Sequence, residues 1–135
     1  MKNKIGGLAA VFFAGVLAVL AGCSLMSENK VKIVSISPDI NVELSAGAKI
    51  DIEVALEYNL KQDNGSINLV IQDAQNTPVG SILEPIKKGA GKLTLKRTIT
   101  VPKTSALAIF TPLKPEGETE TTVVDSRVYK VVAKK

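Results

Sequence analysis

The fold is decided by the stretch Ile50-Asp51-Ile52-Glu53-Val54-Ala55-Leu56-Glu57-Tyr58. In an extended chain Ile50, Ile52, Val54, Leu56 and Tyr58 share one side, and Asp51, Glu53, Ala55 and Glu57 share the other. A period of two with one dry and one wet side marks a half-buried β-strand, because successive strand side chains point to opposite faces. Ile67, Leu69 and Ile71 repeat the pattern against Asn68, Val70 and Gln72. Leu93, Leu95, Ile99 and Val101 repeat it against Lys92, Thr94, Lys96, Thr98 and Thr100. Arg97 interrupts that last apolar set, which predicts a bulge or an end-of-sheet position. Less regular runs at Lys30–Ser37, Pro78–Glu84, Ala106–Leu113 and Thr121–Val132 bring the total to about seven short strands. Beyond Cys23 no stretch carries a helical stripe.

Turn residues punctuate these runs. Pro38-Asp39 closes the first, and Ala46-Gly47 precedes the second. Asp63-Asn64-Gly65 predicts a hairpin turn, because Asn and Gly tolerate positive φ. Asn76-Thr77-Pro78, Lys88-Gly89-Ala90-Gly91, Pro102-Lys103-Thr104 and Pro115-Glu116-Gly117 mark the other breaks. The wet face of the second strand is acidic (Asp51, Glu53, Glu57), and that of the 92–101 strand is basic and hydroxylated. Opposite charges across a sheet are favourable, so these two strands are expected to pair antiparallel.

Short strands at this spacing predict an all-β fold, a single antiparallel β-sandwich. The stretch 30–133 resembles immunoglobulin-like and fibronectin-type-III-like domains. The likeness rests on the first strand ending at Pro38, the Gly47 turn, the long alternating second strand and the closing Tyr129-Lys130-Val131-Val132. The antibody-type Trp and Cys pair are missing, so the resemblance is to the cell-surface or bacterial-envelope variety. Tyr129 is read as an ordinary amphipathic strand residue in preference to a tyrosine corner.

Composition narrows the function classes. The chain has 135 residues, of which the first 22 hold 15 of its 61 hydrophobic ones. The remaining 113 are about 41% hydrophobic, an ordinary globular level for a single domain. Without Lys2 and Lys4, the charge is 15 basic against 13 acidic residues, or +2, too little for a phosphate-tracking stripe. Tyr58, Phe110 and Tyr129 are too few aromatics for a base-stacking platform, so no nucleic-acid partner is expected. The chain contains no His, no Trp and one Cys, which removes His-based triads and Cys/His metal sets.

Residues 1–22 read as a cleaved, helical signal peptide: a positive start at Lys2 and Lys4, then an apolar run from Ile5 to Ala21. It ends in Leu20-Ala21-Gly22-Cys23, which resembles the lipobox of bacterial lipoproteins. The resemblance implies cleavage before Cys23, a diacylglycerol on its thiol and further acylation of its amino group. Residues 23–29 then form the lipidated Cys and a short polar tether, and 30–133 the exported domain. Two or three acyl chains give stable anchoring, so the membrane is the first expected partner. Ser24 after the Cys resembles the outer-membrane-sorted kind if the source is Gram-negative.

The remaining motifs have plainer explanations. Ser27-x-x-Lys30 lies in a polar tether without the helix and companion motifs that a β-lactamase-type site needs. Gly89-Ala90-Gly91-Lys92 precedes a strand, not the helix that a phosphate loop requires. Asn64-Gly65-Ser66 matches a glycosylation acceptor but is read as a turn. Glu116, Glu118 and Glu120 are read as a solvated acidic loop in preference to a cation site. Lys87, Lys88, Lys134 and Lys135 are read as solvated surface, and Lys30 and Lys32 as candidates to rest on anionic headgroups. The expectation is therefore no catalytic residue, no metal and no cofactor. The chain is expected to be a lipid-anchored, non-enzymatic module that holds another envelope or extracellular protein. Binding of a small ligand or glycan is the alternative.

Overall fold

The computed structural model describes residues 28–121 and 123–133. Within them lie six strands: β1 (Lys30–Ser37), β2 (Leu44–Ser45), β3 (Lys49–Asp73), β4 (Pro78–Thr100), β5 (Ala106–Pro115) and β6 (Val123–Val132). Hydrogen bonding runs β1-β3-β5-β6-β2, with β4 on the remaining side of β3. All pairings are antiparallel except the short β2–β6 contact, which is parallel. The strand count is lower than expected because β3 and β4 each fuse two of the runs read from the sequence.

The fusion corrects the predicted hairpin at Asp63-Asn64-Gly65. Here the chain does not turn back; Asn64, Gly65 and Ser66 continue β3 opposite Lys87, Ile86 and Pro85. Likewise Lys88-Gly89-Ala90-Gly91 lies inside β4, with Gly89 at φ 112. Ladder pairing skips from Leu60↔Gly89 to Asn64↔Lys87, so Lys61, Gln62 and Asp63 face Lys88 alone. That irregularity reverses the face on which apolar residues sit. Ile52, Val54, Leu56 and Leu60 are buried before it, and Ile67, Leu69 and Ile71 after it.

Each long strand therefore serves two layers. The first half of β3 lies between β1 and the second half of β4. Its second half lies between the first half of β4 and β5, which continues to β6 and β2. One apolar cluster joins both halves, from Ile33, Ile52 and Leu95 to Leu69, Ile109 and Tyr129. The two halves of β4 meet across it: a β-carbon on Gly80 would stand 3.2 Å from Ile99 Cγ2 and 3.4 Å from Arg97 Cγ. Gly65 is needed for space, since a β-carbon there would sit 2.9 Å from the Lys114 carbonyl oxygen of β5.

The predicted pairing of 49–58 with 92–101 is present. Glu53 faces Lys96, Glu57 faces Lys92 and Asp51 faces Thr98. Lys96 Nζ lies 3.7 Å from Asp51 Oδ2, and the Thr98 hydroxyl donates to Asp51 Oδ1 at 2.5 Å. Arg97 pairs with Ile52 without a register shift and lies on an edge strand, so the end-of-sheet reading holds and the bulge does not. The breaks at Asn76-Thr77-Pro78, Pro102-Lys103-Thr104 and Pro115-Glu116-Gly117 stand where expected, between or at the ends of strands. In the first, Asp73 Oδ1 accepts from the N–H groups of Gln75 and Thr77, both at 2.9 Å.

Candidate functional site

The two outward faces of the sandwich differ in chemistry. On the β1–β3–β4 layer the exposed residues include Lys32, Asp51, Glu53, Glu57, Lys92, Lys96 and neighbouring threonines, with Val34 of β1 the exposed large apolar side chain among them. On the β4–β3–β5–β6 layer no charged residue interrupts the centre. Three cross-strand rows define it. Leu83 lies beside Asn68, and Pro112 beside Val124; Ser81, Val70, Phe110 and Ser126 follow one another; Gln72, Ala108 and Val128 form the third. Leu83 is 62% exposed, Val124 54% and Val128 57%, while Val70, Ala108, Phe110 and Pro112 are half-buried. Charges return only at the two ends, with Lys114 opposite Ser66 and Lys130 opposite Ala106. Asn68 Oδ1 is buried and has no hydrogen-bond partner among the described residues.

The local sequence explains the neutral face. Inward positions of β5 are Leu107, Ile109, Thr111 and Leu113, all fully buried. Alternation then sends Ala108, Phe110 and Pro112 outward. In β6 the same rule turns Val124, Ser126 and Val128 outward and Asp125, Arg127, Tyr129 and Val131 inward.

Asp125 and Arg127, which the sequence reading passed over, close the gap between β6 and β1. Ile33 N–H donates to Asp125 Oδ2 at 2.8 Å, and Arg127 Nη2 donates to the Ile33 carbonyl at 3.2 Å. Arg127 Nη1 lies 3.0 Å from Asp125 Oδ1, which also accepts from Ser126 N–H at 2.8 Å. Burial would raise the Asp125 pKa, but the Ile33 and Ser126 N–H groups and the Arg127 guanidinium outweigh it and hold the carboxyl below its usual value. These two side chains replace the backbone ladder that β1 and β6 lack. The signal was in the sequence: two charges at inward positions of an alternating strand.

Tyr129 is no ordinary strand residue. It is fully buried, and its hydroxyl donates to the Pro38 carbonyl at 2.6 Å, tying the last strand to the end of the first. A tyrosine corner bonds a few residues upstream, whereas this bond spans 91 residues. Burial and the nearby Asp39 charge push its pKa up to about 12.

The other sequence candidates stay apart. Leu20, Ala21, Gly22 and Cys23 lie outside the described residues, as do Ser27, Lys134 and Lys135. Glu116, Glu118 and Glu120 lie exposed on a turn, not on an extended segment, and Glu116 Oε1 accepts from Asn64 Nδ2 at 3.2 Å. Lys87 Nζ donates to Asn64 Oδ1 at 2.7 Å, while Lys88 and Lys30 are exposed. Tyr58 packs on Gly91, where a β-carbon would collide with its ring and hydroxyl, so it is not a free stacking platform. Open clefts occupy both ends of the sandwich. One of about 560 Å³ lies among Asn64, Lys87, Lys114 and Glu116, and another of about 700 Å³ beside Gly47, Val101 and Val132.

No protein-family model and no curated relative matches the chain. Solved structures do resemble it. The C-terminal domain of Wzt matches with a TM-score of 0.51 at 13% identity, over 78% of this chain and 75% of that one. A CARDB domain from Pyrococcus furiosus, solved in complex with di-metal ions, matches with a TM-score of 0.51 at 11% identity, over 77% and 89%. A glycosyl hydrolase family 2 member from Bacteroides cellulosilyticus matches with a TM-score of 0.52 at 8% identity; the chain covers 15% of that enzyme. At such identities the likeness concerns the fold alone, and it agrees with the pairing described above: an immunoglobulin-like antiparallel β-sandwich.

Proposed function

We propose that the chain is a bacterial envelope lipoprotein, anchored through Cys23, whose sandwich acts as a non-enzymatic protein-interaction module. The observation that carries the interaction role is the neutral outer face of β4, β3, β5 and β6, with Leu83, Val124 and Val128 more than half exposed. Contiguous exposed apolar surface on a soluble domain commonly marks a contact site. The anchoring half rests on Leu20-Ala21-Gly22-Cys23 behind its apolar run.

The fold's start supports a close-in geometry. Glu28 O accepts from Asn59 Nδ2 at 2.6 Å, and Asn29 Oδ1 accepts from Lys61 N–H at 2.7 Å. With residues 28 and 29 pinned to β3, only residues 24–27 separate the domain from Cys23, a reach of roughly 14 Å at full extension. Such a tether would keep the domain near the bilayer. Cys23→Ser is expected to abolish incorporation of labelled fatty acid and to leave full-length precursor. Label on that variant, or its release at mature size, refutes the anchor.

A further inference from the structure

We infer that the lysine-lined groove between the start of β1 and the second half of β4 seats on the anionic headgroups of the membrane that holds this chain. The inference rests on the Cys23 anchor proposed above and says which side of the domain meets the bilayer. Two cross-strand rows build the groove: Lys30, Asn59 and Ala90, then Lys32, Glu57 and Lys92. It measures about 640 Å³, with Ala90 and Gly91 as an uncharged floor between Lys30, Lys32 and Lys92. Among the described residues none of these three lysines has an ion-pair partner, whereas Lys96, Arg127 and Lys130 each hold a carboxylate. The entry of the chain points to the occupant. Asn59, in the groove, donates to the Glu28 carbonyl, and Lys61 N–H donates to Asn29 Oδ1, so the chain joins the domain at the groove's edge. Residues 24–27 then lead back to Cys23, a reach of roughly 14 Å. The ten residues of β6 span roughly 33 Å, so the end bearing the groove is the one held at the headgroups.

Charge selects the side. The groove sets three ammonium groups against one carboxylate, Glu57, while Lys61 and Lys88 beyond it are balanced by Glu28 and Asp63. The turn across the same end carries Glu116, Glu118 and Glu120 against Lys87 and Lys114, a balance that an anionic surface repels. Each lysine brought near such a surface adds about fivefold to the affinity for it, so an excess of two is worth roughly twenty- to thirtyfold. That is too little to recruit the domain from solution, but it is enough to orient one already tethered.

The test uses the full lipidated chain in phosphatidylcholine vesicles with and without phosphatidylglycerol. Cys23 is the chain's sole thiol and is blocked when lipidated, so Ala90→Cys carries one fluorophore in the groove. Gln75→Cys carries one on the turn at the other end, where Ala74 N–H meets the Thr104 hydroxyl. A lipid with a headgroup quencher is expected to quench Ala90→Cys about fivefold or more strongly with phosphatidylglycerol than without, and Gln75→Cys weakly in both. Adding Lys30→Gln, Lys32→Gln and Lys92→Gln should remove that difference, and adding Glu57→Gln instead should enlarge it. These four sites are solvent-exposed, and an unchanged melting temperature verifies that each variant folds. Equal quenching with and without phosphatidylglycerol, equal quenching at Gln75→Cys, or a difference that survives loss of the three lysines overturns the inference. So does abolition of the difference by inorganic phosphate at matched ionic strength, which assigns the groove to a free anion. Absence of fatty-acid label from the unaltered chain overturns the anchor and the seating together, whereas a labelled chain that fails the quenching test overturns the seating alone.

Discussion

Asp125→Ala should be among the most damaging single changes outside the apolar core. Its carboxylate accepts from Ile33 N–H and Ser126 N–H, both at 2.8 Å, and meets the Arg127 guanidinium at 3.0 Å. Hydrogen bonds to a charged acceptor contribute about 1.5–3 kcal/mol, and a buried N–H left without one costs about 1–3 kcal/mol. Ile33 is 3% exposed, so water cannot fully replace the lost acceptor, whereas the 27% exposure of the Asp125 side chain lets water recover part of the rest. The net cost is about 2–4 kcal/mol, or roughly 10–20 °C in Tm for a domain of this size. Asp125→Asn keeps one acceptor and should cost about half as much. The pH dependence has a definite sign. The folded pKa lies below the ordinary 3.8, so the stabilisation is complete above that value and is lost as pH falls through the depressed one. Urea unfolding at pH 7 and pH 3, followed by circular dichroism, should show the gap between the unaltered chain and Asp125→Asn narrowing in acid. A cost below about 0.5 kcal/mol for Asp125→Ala at pH 7, or a gap that does not narrow, refutes the clasp.

Two further outcomes test the core and its ties. Ile52→Ala, at a fully buried position of β3, should cost about 2–5 kcal/mol by leaving a cavity, while Glu53→Lys on the exposed face of the same strand should cost under about 1 kcal/mol; urea midpoints measure both. Tyr129→Phe removes the donor to Pro38 O and should cost about 1 kcal/mol at pH 7. Because the Tyr129 pKa rises from 10.0 to about 12, the unaltered chain should lose stability as pH climbs from 10 towards 12, and Tyr129→Phe should lose less.

Much of this architecture was legible in the residues. Alternation located most strands, and the acidic face of 50–58 against the basic face of 92–101 identified a pairing that the register confirms. What failed was the distinction between a turn and a crossing. Asp63-Asn64-Gly65 is polar, holds a glycine and separates runs of opposite parity, and a strand passing between layers leaves the same trace as a hairpin. The difference lies in what the glycine does: Gly65 makes room for the Lys114 carbonyl, a contact with a strand some fifty residues downstream. β2, at two residues, is too short to show any period. The neutral face was hidden for a related reason. Val70, Phe110, Val124 and Leu83 are far apart in sequence, and only the order β4-β3-β5-β6 brings them onto one surface.

The same order also decides how the sandwich can associate. A sheet edge with free N–H and C=O groups invites strand addition, and proteins block it with charges, prolines or cover. β4, paired on one side only, carries Lys92, Lys96 and Arg97 along its second half and Pro78 and Pro85, which lack an N–H, along its first. On β1, the Ile33 N–H and carbonyl are occupied by Asp125 and Arg127. The backbone edge is thus obstructed along β4 and at Ile33 of β1, while between Lys114 and Lys130 the outward side chains of β5 and β6 are uncharged. The interaction role proposed above would therefore use side-chain contact across that face. A charge placed at Val124 or Val128 should weaken it more than a proline placed on the β4 edge.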